Sequence, residues 1–394
     1  MTVLHVGCLP FPTHQGTQGA IAAMMEASTE LSIDAHLLTY AGRAHETAMR
    51  YPIHRLGNWP RVESLRSGPS LGKLALDVRM VRRIRTVCRE IGPRAIVAHH
   101  IEAALAAIAA RVRPVYYVAH TALALELPVY FPAVAERPTS TAGLVLERVV
   151  RRHAAGVAAI APLLARTLGP DFHYLPVPWP HDKGAEPRSP ARRNLGVPEY
   201  APVALYAGNL DRYQGWEDLI AALEVLREAH PNARLLVATE SAPTPLIERA
   251  RTAGLVDALR LTRLDSDAMR ARVHGAADFA WVPRRTPGGL PIKMLDAFAR
   301  GLPVVAPRRA TAGLSVDHAC IVVPDDDPSA LAAGAHRLLS AENLAGEYAR
   351  AARRYLASEH GPEAFGVAMQ ALTRSVGAKP GRPPSRDAAV RRAP

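Results

Sequence analysis

The chain has 394 residues and a formal net charge of +12; 48% of its residues are hydrophobic and 21% are charged. This length exceeds one ordinary hydrophobic core, so we expect a soluble globular protein of two domains. No apolar run is long enough to cross a bilayer, and Cys8, Cys88 and Cys320 have neither a disulfide nor a metal-site spacing. The opening segment has no charged leader, so we expect a reducing, cytoplasmic location.

The first half alternates short apolar strands with helices. The strand TVLHVG precedes the loop PFPTHQGTQG, the helix AIAAMMEASTEL and the strand DAHLLTY. A basic helix, KLALDVRMVRRIRTVCREIG, is followed by the strand RAIVAHH, the helix EAALAAIAARV and the strand PVYYVAH, and AAGVAAIAP predicts one more strand. Alternation of this kind predicts a parallel sheet covered by helices on both faces.

A proline-rich segment, HYLPVPWPHDKGAEPRSPARRNLGVPEYAP, interrupts this alternation and has little periodicity, which is typical of a linker. A second alternation then runs from the strand VALYAGN through the strands ARLLVAT, LRLTRL, DFAWVP and CIVVP. The sequence therefore predicts an α/β protein with two doubly wound domains facing a cleft. We place the first domain at 1–178, the linker at 179–200, the second domain at 201–376 and a disordered basic tail at 377–394.

Loops after the carboxyl ends of the strands are where open α/β sheets bind ligands. The first such loop, HQGTQG, contains His14 and Gly16, and its glycines let a phosphate or a second substrate approach the backbone. The alternative is a tight turn without a ligand.

Three histidines end predicted strands: His99 and His100 after one strand, and His120 after the next. A histidine in this position can hydrogen-bond a sugar hydroxyl or transfer a proton near neutral pH. The alternative is a structural histidine with its hydrogen bonds satisfied. No carboxylate or cysteine lies at ligand spacing beside these histidines, so we do not expect a metal site.

Two loops of the second domain suggest an anion site. In YAGNLDRYQG, Arg212 is the one cation between two glycines, and it either grips an anion or lies on the surface. In RRTPGGLPIKMLDAFARGLPVVAP, Gly288 and Gly289 precede a helix whose free N–H groups can receive an anion. Asp296 lies inside that helix, where it binds a hydroxyl pair such as a ribose, faces solvent or pairs with Arg300.

The basic helix suggests a separate contact. Four of its arginines cluster over one broad face and would suit anionic lipid headgroups, although a solvated face is the alternative; they are Arg79, Arg82, Arg83 and Arg89. Nucleic-acid binding is not expected, because aromatic residues are only 5% of the chain and do not alternate with the basic ones.

Together these segments resemble the GT-B glycosyltransferases, in particular the retaining family 4, also called glycosyl transferases group 1. Members typically show a strand and GR(L)…KG, here GNLDRYQG, and later EGFPxKLLEAMAxGxPVVA, here GGLPIKMLDAFARGLPVVA. The resemblance extends to about residue 376. It implies two facing Rossmann-like domains that close over a nucleotide-sugar without a metal ion or cofactor.

The resemblance also implies roles for individual residues. Backbone N–H groups at the helix start would hold the donor diphosphate, Asp296 would bind the ribose, and His120 would lie beside the transferred sugar. Gly16 and its neighbours would lie under the phosphates or beside the acceptor. The residues at that helix start are Gly289, Leu290, Pro291 and Ile292. The acceptor would meet the first domain beside His14, His99 and His100.

The chain departs from the family pattern at several of these positions. Gly288 replaces the first acid of the motif, and Asp296 replaces its second, a glutamate. Asn209 and Gln214 stand where the family has an arginine and a lysine. Arg212 or Lys293 is then needed to restore a charge beside Gln214 at the donor.

The sequence therefore predicts a metal-independent retaining glycosyltransferase that uses a UDP-, GDP- or TDP-sugar and an unidentified acceptor. It would be cytoplasmic, with peripheral contact at the inner face of the cell membrane as a further prediction. The alternatives are a catalytically weakened binding or scaffolding protein of the same fold, and an epimerase or phosphorylase. A phosphorylase would need a pyridoxal lysine in a suitable setting, and none is evident.

Overall fold

Seven parallel strands form the first sheet, in the order β3-β2-β1-β4-β5-β6-β7. The computed structural model describes residues 2–13, 15–41, 49–57, 71–131, 134–287 and 289–374. Each central strand is a continuous apolar run that is buried on both faces, which is what a parallel sheet between helical layers requires. The strands are β1 (Thr2–Pro10), β2 (Asp34–Tyr40), β3 (Ile53–Arg55), β4 (Ala95–His99), β5 (Val115–Ala119), β6 (Gly156–Ala159) and β7 (Phe172–Tyr174).

In the described residues, six helices connect these strands. Two of them, α4 and α5, form a hairpin between β5 and β6 that the sequence analysis did not assign. The helices are α1 (Gly16–Glu30), α2 (Leu71–Ile91), α3 (His100–Ala109), α4 (Leu123–Tyr130), α5 (Glu136–His153) and α6 (Pro162–Leu168).

The second sheet has six parallel strands in the order β10-β9-β8-β11-β12-β13. These are β8 (Val203–Ala207), β9 (Arg234–Ala238), β10 (Leu259–Thr262), β11 (Phe279–Trp281), β12 (Val304–Pro307) and β13 (Ile321–Val323). The accompanying helices are α7 (Arg188–Leu195), α8 (Asp218–Ala229), α9 (Thr244–Thr252), α10 (Asp267–Ala276), α11 (Ile292–Ala299), α12 (Arg308–Thr311), α13 (Pro328–Ser340), α14 (Leu344–Glu359) and α15 (Pro362–Arg374). Both sheets reverse their strand order at the centre, so the predicted pair of Rossmann-like domains is confirmed.

The segment at 179–200 differs from the predicted linker, because it contains the helix α7 packed against α10. Its helix ends at Gly196, whose φ of 62° is left-handed. The side chain of Arg192 is fully buried, donates to the carbonyls of Ala276 and Ala201, and pairs with Asp278 at 2.9 Å. The second half of the segment is therefore part of the second domain.

The last helix of the described chain, α15, falls within the predicted second domain, 201–376, but it contacts the first domain. It belongs to the second domain by sequence, yet α15 packs against α1, β6 and β7 of the first domain. Its Phe365, Met369 and Leu372 are buried, and the hydroxyl of Tyr116 donates to the carbonyl of Thr373 at 3.4 Å. The chain thus crosses between the domains twice.

The two crossings are joined to each other. The backbone N–H of Trp179 donates to the carbonyl of His360 at 2.7 Å, and Nδ1 of His360 lies 2.7 Å from the carbonyl of Val177. None of the described helices is both long and apolar enough to pass through a membrane.

Candidate active site

The carboxyl ends of both sheets face one cleft, which encloses about 2330 Å³ between the domains. Its first-domain wall carries the strand ends at His99 and His120, and its second-domain wall carries the loop after Gly208 and the start of α11. The cleft holds most of the residues that the sequence singled out. His14 and Gly288 lie outside the described residues.

Two helix N-termini meet across this cleft. A Cβ atom placed on Gly16, the first residue of α1, would lie 3.7 Å from the side chain of Ile292, the first residue of α11. One on Gly19 would lie 3.6 Å from Trp179 and 3.9 Å from Ile292. Since free N–H groups and the helix dipole make each N-terminus positive, the gap between them attracts an anion.

The side chain of Lys293 points from α11 into the loop after β8. Its Nζ donates to Oε1 of Gln214 at 2.8 Å and to the hydroxyl of Tyr206 at 3.0 Å, and it lies 4.1 Å from the Tyr206 ring centroid. A Cβ on Gly208 would lie 3.0 Å from the same nitrogen. Burial, and then the charge of Arg284, hold the pKa of Lys293 well below its ordinary value.

Arg284 supplies a second cation that the sequence analysis did not identify. Its Nε donates to the carbonyl of Thr286 at 2.9 Å, and its guanidinium lies 5.9 Å from the Tyr213 ring centroid and directly over Gly289. Burial lowers the pKa of Arg284. Neither Arg284 nor Lys293 forms an ion pair with a carboxylate in the described part of the chain.

Arg212 does not lie at the anion site that the sequence analysis suggested for it. It begins a short 3₁₀ turn over 212–214, is exposed, and does not line the cleft, whereas its neighbours Tyr213 and Gln214 do. The left-handed φ of 66° at Gly215 ends this turn. Because the turn directs Gln214 inward, it directs Arg212 away.

Asp296 is 2% exposed and is surrounded by Lys183, Arg270, Arg300 and His274. Its Oδ1 lies 3.8 Å from Nζ of Lys183 and 3.5 Å from Nε of Arg300, and its Oδ2 lies 3.5 Å from Arg270 and 3.9 Å from His274. Burial alone would raise the pKa of Asp296, but the four neighbours together lower it. The pairing with Arg300 is present, and the alternative of a solvent-facing side chain is wrong.

These contacts leave Asp296 incompletely satisfied. Oδ1 is buried and has no hydrogen-bond partner, and neither does Nε of Arg300. An ionised carboxylate with a free oxygen at the cleft wall can accept a hydroxyl of a ligand.

The strand-end histidines form a hydrogen-bonded chain that runs across three strands. Nδ1 of His5 lies 3.0 Å from Nε2 of His99, whose Nδ1 lies 3.1 Å from Nε2 of His120. The ring of His100 stacks on His120 at 4.6 Å, and its Nε2 lies 3.2 Å from the hydroxyl of Thr17. His5 lies in the middle of β1, so the search for histidines at strand ends does not find it. Only the alternation of side chains between the two faces of the sheet, followed along β1 and β4, could have indicated His5.

Burial keeps the hydrogen-bonded histidines neutral. It lowers the pKa of His5 to about 4 and holds those of His99 and His120 well below 6.5. A neutral imidazole has one N–H, so all the hydrogen bonds must run in the same direction. The direction sets whether Nδ1 of His120, which is buried and has no partner, presents a proton or a lone pair.

Further polar groups of the first-domain wall were not predicted. Nζ of Lys73 donates to Glu102 at 2.6 Å, and Glu126 accepts from the hydroxyls of Thr121 at 2.6 Å and Tyr130 at 3.2 Å. His100, with a left-handed φ of 66°, lies between them. These carboxylates are separated by tens of residues in sequence, and no local pattern marks them.

Comparison with known proteins agrees with this geometry. Residues 201–341 match the family model described as Glycosyl transferases group 1. The matched segment lies within the second domain. A glycogen synthase of Mycobacterium tuberculosis is 34% identical over 160 residues, which are 39% of this chain and 38% of that protein. The chain therefore matches well under half the length of this relative.

Solved structures resemble the whole chain, not only the group 1 domain. A sucrose-phosphate synthase from Thermosynechococcus elongatus has a TM-score of 0.78 and 19% identity, covering 96% of this chain and 99% of that one. Anabaena Alr3699/HepE in complex with UDP-glucose has a TM-score of 0.75 and 17% identity, covering 95% and 100%. The two-domain arrangement is the GT-B fold, as the sequence predicted.

Proposed function

We propose that this protein is a glycosyltransferase that moves a sugar from a nucleotide-diphosphate sugar to an acceptor. The observation that carries the proposal is the pair Lys293 and Arg284, two partly buried cations near the start of α11 that pair with no carboxylate among the described residues. The N-terminus of α1 faces them across the cleft. A diphosphate is the ligand chemistry that such a site favours.

The proposed chemistry uses these charges in the transition state. The departing nucleotide diphosphate gains negative charge while the sugar becomes oxocarbenium-like. Lys293, Arg284 and the N–H groups of Ile292 would stabilise that charge, and electrostatic stabilisation of this kind is usually the largest catalytic contribution. In this proposal Lys293 and Arg284 take over the role of the two motif cations, whose positions are occupied here by Asn209 and Gln214. No metal ion is needed.

Other cleft residues fit the remaining parts of a donor. The unsatisfied Oδ1 of Asp296 would accept a ribose hydroxyl, and Nδ1 of His120 would meet a hydroxyl of the sugar. We propose retention of the anomeric configuration by attack on the leaving-group face, with the departing phosphate taking the acceptor proton. Glu102 is ion-paired to Lys73 and Glu126 accepts two hydroxyl donors, so both are held back from nucleophilic attack.

UDP-sugars are the first donors to test, since Anabaena HepE is seen with UDP-glucose; GDP- and TDP-sugars come next. We propose a cytoplasmic protein. The acceptor would enter along the first-domain wall beside His99, His100 and Glu102.

Calorimetric titration of UDP, GDP and TDP tests the donor site. The Lys293→Met variant keeps the shape of the side chain and removes its charge, and we expect a loss of affinity of about 10- to 150-fold, or about 1.5–3 kcal/mol. Arg212→Met removes the same charge outside the cleft and should bind as the parent does. Absence of millimolar binding, or a larger loss in Arg212→Met, would exclude the proposed site.

A binding or scaffolding protein remains the second candidate, because Gly288 replaces the acid that contacts the donor sugar in the family motif. Release of nucleotide from the bound nucleotide-sugar separates the two functions. Turnover that disappears in Asp296→Ala and Lys293→Met identifies an enzyme, whereas nucleotide-sugar binding without any turnover identifies a binding protein.

A further inference from the structure

Exposed apolar side chains concentrate on the hairpin of α4 and α5. Seven of the large hydrophobic residues exposed in the described part of the chain lie between residues 125 and 149, and we call this surface the α4–α5 face. They are Leu125, Phe131, Val134, Leu144, Val145, Leu146 and Val149. A cluster of this kind on a folded domain marks an interaction surface.

The helix α5 divides into an inner and an outer side. Its inner side is buried against α4, where a Cβ on Gly143 would lie 2.6 Å from the backbone of Ala124 and Glu147 accepts from the backbone N–H of Leu123 at 2.6 Å. The exposed residues of the outer side recur at intervals of three and four residues, so they form one stripe along the helix. That stripe consists of Arg137, Thr141, Leu144, Val145, Arg148, Val149 and Arg152.

The outer stripe has three positive charges and no negative one. No carboxylate in the described residues pairs with Arg137, Arg148 or Arg152, whereas the neighbouring Arg151 pairs with Asp171 at 2.5 Å. The carboxylate of Glu147 is on the buried side. The face therefore combines exposed aliphatic groups with arginines that form no ion pair within the described part of the chain.

We propose that the α4–α5 face docks on an anionic lipid bilayer. Leu144, Val145 and Val149 would enter the boundary between headgroups and acyl chains, while Arg148 and Arg152 would reach the phosphates with their guanidinium groups. The shallow depression between these arginines is lined by Val145 and Val149, so apolar and cationic groups face the same side.

A second copy of the chain fits this face less well. A two-fold dimer would set the same stripe against itself, and three arginines on each side would meet without an acid between them. The predicted lipid contact on α2 is also weaker. Among the α2 side chains that the structure describes, Val78 is the only large apolar one exposed, and Arg83 is paired with Glu90 at 3.3 Å.

The position of the α4–α5 face affects access to the cleft. Leu125 and Leu146 belong to the α4–α5 face and also line the cleft. A bilayer docked there would lie at the rim of the cleft on the first-domain side. The inference goes beyond the proposed function and stands whether or not a sugar is transferred.

Two single-tryptophan insertions test where the lipid binds. Val145→Trp on α5 and Val78→Trp on α2 replace valines that are 50% and 58% exposed. With vesicles of phosphatidylglycerol and phosphatidylcholine, we expect a blue shift of the added fluorescence in Val145→Trp and none in Val78→Trp. A shift only in Val78→Trp, or a concentration-dependent shift of Val145→Trp without vesicles, overturns the proposal.

Sedimentation with the same vesicles measures the arginine contribution. Arg148→Gln/Arg152→Gln should weaken binding roughly 30-fold, because each basic residue near an anionic surface changes partitioning about fivefold. Arg82→Gln/Arg89→Gln removes the same charge from α2 and should change it far less. Equal losses in the two variants, or no pelleting of the parent at low salt, overturn the proposal. Nucleotide binding by each variant shows that its fold and the donor site are intact.

Discussion

At the scale of residues, one cation of the candidate donor site, Lys293, stands at the lysine of the family motif, whereas Arg284 lies outside the family pattern. The loop after β8 carries Asn209 and Gln214 in place of two cations, yet Gln214 accepts a hydrogen bond from Lys293. Arg284, at the end of another loop, lies beside it. Sequence spacing identified the helix start and Lys293, but a partner brought in by tertiary packing has no local signature.

The histidine chain predicts an effect of a residue that does not face the ligand. His99→Phe removes the hydrogen bond to Nε2 of His120, so the tautomer of His120 is no longer fixed. We expect turnover to fall about tenfold, which corresponds to roughly one hydrogen bond, and His99→Gln to restore part of it. The ¹⁵N chemical shifts of His120 should show mixed tautomers in His99→Phe. An unchanged tautomer together with lower turnover would point to packing instead.

Burial of histidines also predicts that the stability of the folded protein depends on pH. Burial lowers the pKa of His5 and of His360 from 6.5 to about 4, so the unfolded chain binds protons in a range where the folded chain does not. Stability is therefore full above pH 6.5 and falls as the pH decreases toward 4, by roughly 3 kcal/mol for each histidine. Urea unfolding across this range measures the effect. His360→Gln should flatten the curve, and a parent curve that is already flat would contradict the expectation.

At the scale of elements, the strands were predictable and several helices were not. Apolar runs such as VALYA and IVV are buried in any parallel sheet, whatever their neighbours. The helix α7 has a composition typical of a loop, and it is held by the buried Arg192, whose partners come from the end of α10 and from the segments just before β8 and β11. The docking of α15 on the first domain likewise depends on contacts with residues more than 200 positions away.

The crossing of α4 and α5 predicts an unusual response to a small substitution. Alanine in place of a helical glycine ordinarily stabilises a helix by up to about 1 kcal/mol. In Gly143→Ala the new Cβ would lie 2.6 Å from the backbone of Ala124, so we expect a loss of about 1–3 kcal/mol. Gly346→Ala, in α14, has only the end of the Arg350 side chain nearby and should stabilise. Thermal unfolding of both variants compares them directly, and similar shifts would mean that the hairpin opens easily.

At the scale of the whole molecule, the two domains lie next to each other, and few covalent connections join them because the chain crosses between them only twice. Residues 175–187 and the turn at His360 run side by side and are bonded through Val177 and Trp179. The two domains also approach each other at Gly16, Gly19 and Ile292, and at Gly313 beside Leu163 and Arg166. The sequence predicted two facing domains, but it did not predict that α15 would pack on the first domain and help to join the two.

This arrangement predicts that the diphosphate, not the nucleoside, draws the domains together. Uridine has no anionic group for the N-terminus of α1, whereas UDP in the proposed site would place its charge between α1 and α11, within reach of Lys293 and Arg284. We therefore expect UDP to decrease the radius of gyration measured by small-angle scattering and uridine at the same occupancy to leave it unchanged. Arg284→Met should bind UDP more weakly, and at saturation it should close less, because one of the charges that holds the bridging anion is gone. Identical scattering with UDP and uridine would mean that the anion is held by the second domain alone, and the role given to Gly16 and the start of α1 would have to be withdrawn.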